Sequence, residues 1–149
     1  DTRGIRRAAV TLHVGEGTFL PVKTAVLEDH PMHEERWHID EDAIDALMEG
    51  PGSQGRLVAI GTTTVRVLEA LPDPLPTAAC SGSTDLLIAP GHQFRRVDAM
   101  MTNFHLPRST LLALVGAYLG MELMTRAYQT AIEHEYRFYS YGDAMLLLP

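Results

Sequence analysis

Apolar and polar positions follow two rhythms along this chain, and the changes of rhythm mark its elements. Residues 8–14 (AAVTLHV) are rich in β-formers and stop at Gly15 and Gly17, which predicts a strand and a turn, with 18–22 continuing the sheet. Residues 26–39 are polar and irregular and read as a connection. Asp40 supplies an N-cap, and Glu41 and Asp42 place carboxylates in a first turn, where the helix dipole favours them. Ile44, Leu47 and Met48 then recur at helical spacing until Gly50-Pro51-Gly52 stops the helix. A short buried-type strand over 57–60 runs into Gly61-Thr62-Thr63-Thr64 and a second helix, carried by Val65, Leu68 and Leu71 and ended by Pro72.

The stretch 72–83 is rich in proline, alanine and serine and reads as a loop. The stretch 85–110 that follows organises the chain. An apolar run over 85–89 is stopped by Pro90-Gly91, and a basic patch leads to a second strand over 97–101. Thr102-Asn103-Phe104-His105 forms a polar loop, Pro107 interrupts, and Ser109-Thr110 open a helix over 110–119. A further helix is predicted over 122–136 after a break near Gly120, then an aromatic connection over 137–142 and a last strand over 144–148. Strands alternating with helices predict an α/β domain, a mixed, largely parallel sheet flanked by helices in α/β/α layers. Strands that feed a polar loop at the mouth of a helix are where such folds place their sites.

Composition narrows the reading. A chain of 149 residues with 46% hydrophobic and 21% charged residues is expected to form one globular domain. Its net charge of −7 argues against broad nonspecific nucleic-acid binding but leaves room for a local basic face. Cys80 is the single cysteine, so no intrachain disulfide forms. The apolar stretch 111–121 is too short to span a bilayer, no signal peptide is visible, and a cytoplasmic location without membrane contact is expected. The chain opens on Asp1 and enters a strand pattern within a few residues, which reads as the downstream part of something longer.

Candidate chemistry has a plain alternative at each position. Gly61 with Thr62, Thr63 and Thr64 offers backbone N–H groups and hydroxyls at a helix N-terminus, suited to a carboxylate or phosphate, or serving only as a cap. The dinucleotide and Walker glycines are absent. His30, His33 and Glu35 suggest metal ligands, though a solvated polar loop explains them as well. Arg95, Arg96 and Arg108, with His92, form the densest basic cluster and suit phosphates or solvent. Phe104 and His105 beside Asn103 suit stacking on a base or a packed corner, and the aromatic run Tyr136, Phe138, Tyr139 and Tyr141 suits a core. Asp98 and His105 bracket the second strand and its loop. If the chain brings both to one cavity, a partly buried Asp98 would serve as a base and His105 as a hydrogen-bonding partner; alternatively Asp98 fixes the loop through Arg96 or a backbone amide.

Taken together, VTLHVGEGTFLPV (10–22), DHPMHEE (29–35), IGTTTVRVLEA (60–70), TDLLIAPGHQFRRVDAMMTNFHLPRSTLLALV (84–115) and YRFYSYGDAMLL (136–147) occur in this order. The chain so resembles the C-terminal half of the S-adenosylmethionine:tRNA ribosyltransferase-isomerases of queuosine biosynthesis. The long ungapped stretches VDAMMTNFHLPRST and YSYGDAM carry the likeness, while GTTTVR alone would be weak. His92 departs from it, standing where the family commonly has an aromatic residue.

The resemblance implies that residues 1–149 are the C-terminal part of a large α/β catalytic domain, without the N-terminal half and its inserted small β-domain. It implies transfer and isomerisation of the ribosyl group of S-adenosylmethionine onto 7-aminomethyl-7-deazaguanine at the tRNA wobble position. Epoxyqueuosine forms, and adenine and methionine leave. The route begins with loss of a proton beside the sulfonium and departure of adenine. The aminomethyl nitrogen then attacks, and epoxide closure expels methionine. S-adenosylmethionine is consumed as a substrate, and neither a metal nor a separate cofactor is implied.

On this reading Asp98 and His105 are catalytic, and Arg95, Arg96 and Arg108 meet tRNA phosphates. Gly61, Thr62, Thr63, Thr64, Arg66, Asn103, Phe104, Tyr141 and Asp143 line the substrate site. The partners are tRNA, S-adenosylmethionine and the missing half, in cis or as a companion chain. Two alternatives stand beside it: a non-catalytic fragment or split subunit that binds tRNA or a companion chain, and a metal-dependent hydrolase using His30, His33 and Glu35.

Overall fold

A computed structural model of the chain describes residues 4–15, 21–50 and 55–148. The turn and continuation expected at 16–20 and the stop at Pro51-Gly52 lie outside those residues. In chain order the elements are β1 (Val10–His13), β2 (Glu35–Ile39), α1 (Glu41–Glu49), β3 (Val58–Ile60), α2 (Thr62–Ala70) and β4 (Cys80–Thr84), then β5 (Ala99–Asn103), α3 (Thr110–Leu119), α4 (Met121–Glu133) and β6 (Ala144–Leu147). The strands form two three-stranded sheets, ordered β1-β2-β4 and β3-β5-β6. The class is mixed α/β, as expected. Among the described residues only β3 and β5 pair in parallel, and β1–β2, β2–β4 and β5–β6 are antiparallel.

That balance differs from a largely parallel sheet because two antiparallel strands were hidden in the sequence. In β2, Glu35, Trp37 and Ile39 point inward while Arg36 and His38 point outward. The alternation is regular, but a glutamate at an inward position disguises it. β4 has the unpromising sequence CSGST, and the reason is steric. Gly82 pairs with Trp37, and a Cβ on it would lie 2.5 Å from the indole Cζ2. Only a strand without a side chain there lets the tryptophan lie across it. The run 85–89 forms no strand; Ile88, 2% exposed, instead anchors an irregular segment in the core. β5 begins two residues later than the 97–101 expected, and α4 ends at Glu133 rather than 136. The break at Gly120 is where it was expected.

Helix α2 sits at the centre, packed against β1 of one sheet and against β3 and β5 of the other. Residues 65–69 are all buried, so no side of its middle faces water. Val65, Val67 and Leu68 join Ile39, Ile44, Met100, Leu114 and Val115 in one apolar core. The same stretch carries two charges, Arg66 and Glu69, with side chains 4% and 0% exposed. Buried ions need partners, since an uncompensated one costs several kcal/mol.

Arg66 pairs with Glu35 of β2, whose other carboxylate oxygen accepts the Gly15 N–H at 2.9 Å. Glu69 accepts the backbone N–H groups of Arg95 and Arg96, each at 3.0 Å, and lies 3.5 Å from His92 Nε2. Glu35→Ala should therefore lower the unfolding free energy by about 3–5 kcal/mol, by removing the carboxylate that Arg66 pairs with in the core. The apolar pair Glu35→Leu/Arg66→Met should stay much closer to the parent in urea titrations. A single variant that loses less than about 1 kcal/mol would contradict this.

Candidate functional site

Because β3 and β5 are parallel, both deliver their C-terminal ends to one edge of the second sheet. Ile60 and Met101 are register partners there, and the Gly61 N–H continues the ladder to the Met101 carbonyl at 2.8 Å. Gly61 has φ +88°, a left-handed conformation natural to glycine, and it turns the chain directly into α2. No side chain caps this helix start, so the N–H groups of its first turn face the edge without an intrahelical acceptor. The Thr64 hydroxyl donates to the Ile60 carbonyl at 2.7 Å, Thr62 is buried, and Thr63 is exposed.

Asn103 ends β5 at the same edge, half-buried and paired with Ala144. Ala144 follows Tyr141-Gly142-Asp143, so that segment reaches the edge too. The Asp143 carboxylate accepts the Arg137 backbone N–H at 2.8 Å and its guanidinium at 3.2 Å, which holds this carboxyl below the usual range and closes the 137–143 loop. Tyr141, 94% exposed, stands out from that loop. The structure thus brings together Gly61, Thr62, Thr63, Thr64, Asn103, Tyr141 and Asp143.

Phe104 and His105 lie beneath this edge rather than on it. Phe104 is buried among Tyr128, Phe138 and Tyr136, with ring centroids 5.4, 5.3 and 5.7 Å away. It is a packed corner, whereas the ring of Tyr141 is open to solvent. His105 is 8% exposed; its ring Nε2 lies 3.0 Å from the Thr102 hydroxyl, and its backbone N–H donates to the Tyr128 hydroxyl at 3.0 Å. The Thr102-x-x-His105 spacing was the one sequence sign of this pair.

Asp98 is at the other end. It precedes β5, so five strand residues separate it from the His105 corner, roughly 17 Å at about 3.3 Å per residue. It is exposed rather than partly buried, and its carboxylate accepts the Leu57 N–H at 2.8 Å. The structure does not bring Asp98 and His105 to one cavity. Arg66 is likewise withdrawn into its ion pair with Glu35.

The basic cluster divides as well. The Arg95 guanidinium donates to the Glu69 carbonyl at 2.7 Å, at the C-terminal end of α2, and that of Arg96 to the Pro72 carbonyl at 2.6 Å, just beyond it. Arg108 stands apart from them, exposed, just before α3. His92 packs edge-on against Phe94, with ring centroids 4.9 Å apart. Glu35 is committed to Arg66, and among the described residues no three His, Cys, Asp or Glu side chains gather as metal ligands. Among the described residues no helix is long and apolar enough to cross a membrane.

An α/β protein with helix N–H donors and polar strand ends at one sheet edge is the class that fold and site define. The chain matches the family model described as queuosine biosynthesis protein over residues 1–147, and it belongs to that family. It is 53% identical over 148 residues to the S-adenosylmethionine:tRNA ribosyltransferase-isomerase of Cupriavidus pinatubonensis, a match covering 99% of this chain and 42% of that one. The enzyme of the same name from Anaeromyxobacter dehalogenans is 54% identical over 146 residues, covering 98% of this chain and 42% of its own. The crystal structure of the S-adenosylmethionine tRNA ribosyltransferase from Thermotoga maritima matches with a TM-score of 0.80 at 41% identity, over 99% of this chain and 46% of that one. The chain therefore spans less than half the length of these relatives.

Burial holds the His105 imidazole down at about 4, so the ring is neutral at pH 7. The unfolded chain takes up that proton near its ordinary value of 6.5. The stability tied to this group is complete above that pH and drains away as the pH falls toward 4. Between pH 7 and pH 4.5 the parent should lose about 2 kcal/mol more unfolding free energy than His105→Asn, which keeps a polar group but does not titrate. Parallel losses in the two proteins would contradict it.

Proposed function

We propose that this chain supplies the donor-binding edge of an S-adenosylmethionine-dependent tRNA ribosyltransferase-isomerase. The reaction moves the ribosyl group onto 7-aminomethyl-7-deazaguanine at the tRNA wobble position and releases adenine and methionine. S-adenosylmethionine is a substrate here, with no separate cofactor, and a tRNA substrate sets the work in the cytoplasm. The observation that carries the reading is the uncapped start of α2 at the carboxyl edge of β3 and β5, in a chain whose relatives bear this name.

The first-turn N–H groups of α2 suit the methionine carboxylate, an anion that a helix N-terminus favours by roughly 0.3–1 kcal/mol, and more when partly buried. The exposed Thr63 hydroxyl adds a donor. Asn103 can hydrogen-bond the sugar or the departing adenine. Tyr141 offers a ring on which an unstacked anticodon base rests, and Arg108 a cation for phosphate. Neutral His105, held by Thr102 and Tyr128, positions the Asn103 backbone from below. Proton removal beside the sulfonium is assigned to a group other than Asp98, which lies at the far end of β5.

These assignments make a crossed prediction for the chain joined to the remaining part of the Cupriavidus pinatubonensis enzyme. Thr62→Val/Thr63→Val should raise the KM for S-adenosylmethionine several-fold, on the order of 1 kcal/mol, and leave that for tRNA nearly unchanged. Tyr141→Ala and Arg108→Ala should do the reverse. Equal effects of both sets on both substrates would contradict the assignment.

A further inference from the structure

The segment 137–143 is wound more tightly than its exposed position requires. The Asp143 N–H donates to the Arg137 carbonyl at 2.8 Å, and the Asp143 carboxylate accepts the Arg137 N–H at 2.8 Å, so the two ends close into a ring. Inside it the Gly142 N–H donates to the Tyr139 carbonyl at 3.0 Å. A Cβ on Gly142 would lie 2.5 Å from the Arg137 carbonyl oxygen and 2.8 Å from that of Tyr139, so only glycine fits. Tyr139 has φ +70°, a conformation that residues with a side chain seldom adopt unless their surroundings hold them in it. Its N–H donates to the Phe104 carbonyl at 2.9 Å, and Phe138 packs on Phe104 and Tyr128 with ring centroids 5.3 and 5.9 Å away. These contacts pin the ring to the end of β5, while Tyr141 stands clear in water. A large ring held in water on a closed, strained turn adds nothing to the fold; strain of this kind collects where one side chain must be presented in one orientation.

We propose that Asp143 is a positioning residue that presents Tyr141 to the acceptor base, and that its carboxylate takes no part in the chemistry. This deepens, and rests on, the reading of Tyr141 as the ring that holds an anticodon base. Both carboxylate oxygens of Asp143 are committed to Arg137, Oδ2 to the backbone N–H and Oδ1 to the guanidinium at 3.2 Å. The backbone bond is the firmer hold, since an ion pair whose arginine side chain is 75% exposed contributes little. The same bond is the main reason the carboxyl sits below its ordinary range, and a carboxylate so held is a weaker base for a proton beside the sulfonium. An asparagine side-chain oxygen can accept the same N–H, so the position requires an acceptor rather than a charge.

The test uses the chain joined to the remaining part of the Cupriavidus pinatubonensis enzyme. Asp143→Ala should raise the KM for tRNA several-fold and leave kcat and the KM for S-adenosylmethionine nearly unchanged. Asp143→Asn should recover most of that loss. The double variant Asp143→Ala/Tyr141→Ala should bind tRNA no worse than Tyr141→Ala, because Asp143 acts through that ring. Hydrogen exchange at the Tyr139 amide should quicken in Asp143→Ala far more than in Asp143→Asn, while the Gly61 amide stays protected, which marks a local loosening rather than unfolding. Losses that add in the double variant would overturn the proposal. So would an Asp143→Asn variant that loses kcat as severely as Asp143→Ala at an unchanged KM for tRNA, which would make the carboxylate a reacting group. A Tyr141→Ala variant with the parent's KM for tRNA would instead overturn the reading beneath the proposal, and the proposal with it.

Discussion

The buried charges of α2 constrain everything else in this molecule. A helix enclosed on all sides is expected to be apolar throughout, yet its middle carries Arg66 and Glu69. Each must find its counter-group from a separate part of the chain. Arg66 takes Glu35 and so fixes β2, and with it the first sheet, against the helix. Glu69 takes the backbone N–H groups of Arg95 and Arg96 and so fixes the segment that leads into β5. One helix, through two charges, sets both sheets in place. The orientation of its N-terminus at the carboxyl edge of β3 and β5 follows from that.

Much of this was legible in the sequence. The Gly61 turn into α2, the α3 start at Ser109 and the break at Gly120 have local causes, and local causes are written in short stretches; α1 does start after Asp40, but the Asp40 side chain bonds His38 instead of capping the helix. What was not legible depends on partners far away. Glu35 looked like part of a polar loop because its inward position makes sense only once Arg66 is opposite. CSGST looked like a loop because the demand for Gly82 comes from Trp37, forty-five residues earlier. Arg95 and Arg96 looked like a phosphate-binding patch because a sequence does not reveal that the end of α2 claims their guanidinium groups.

The site shows the same division. The motifs around Gly61, Asn103 and Tyr141 were singled out by their residues, and the parallel pairing of β3 with β5 and the antiparallel pairing of β5 with β6 bring them to one edge. The pairing of Asp98 with His105 rested on closeness in sequence, and a strand between two residues places them at opposite ends of a sheet. Exposure then reassigns roles within the edge. Phe104 is a support, and Tyr141 is the most exposed ring beside it, at 94%. On the reading proposed above, the chain carries the donor-binding edge of the site.

The most direct measurement of that reading is a backbone amide map of the joined protein by nuclear magnetic resonance as S-adenosylmethionine is added. Shifts should concentrate at the amides of Thr62, Thr63 and Thr64, which face the proposed carboxylate, with a second group at Asn103. Shifts confined to Asp98, Arg95 and Arg96, at the opposite end of β5 and α2, would contradict it.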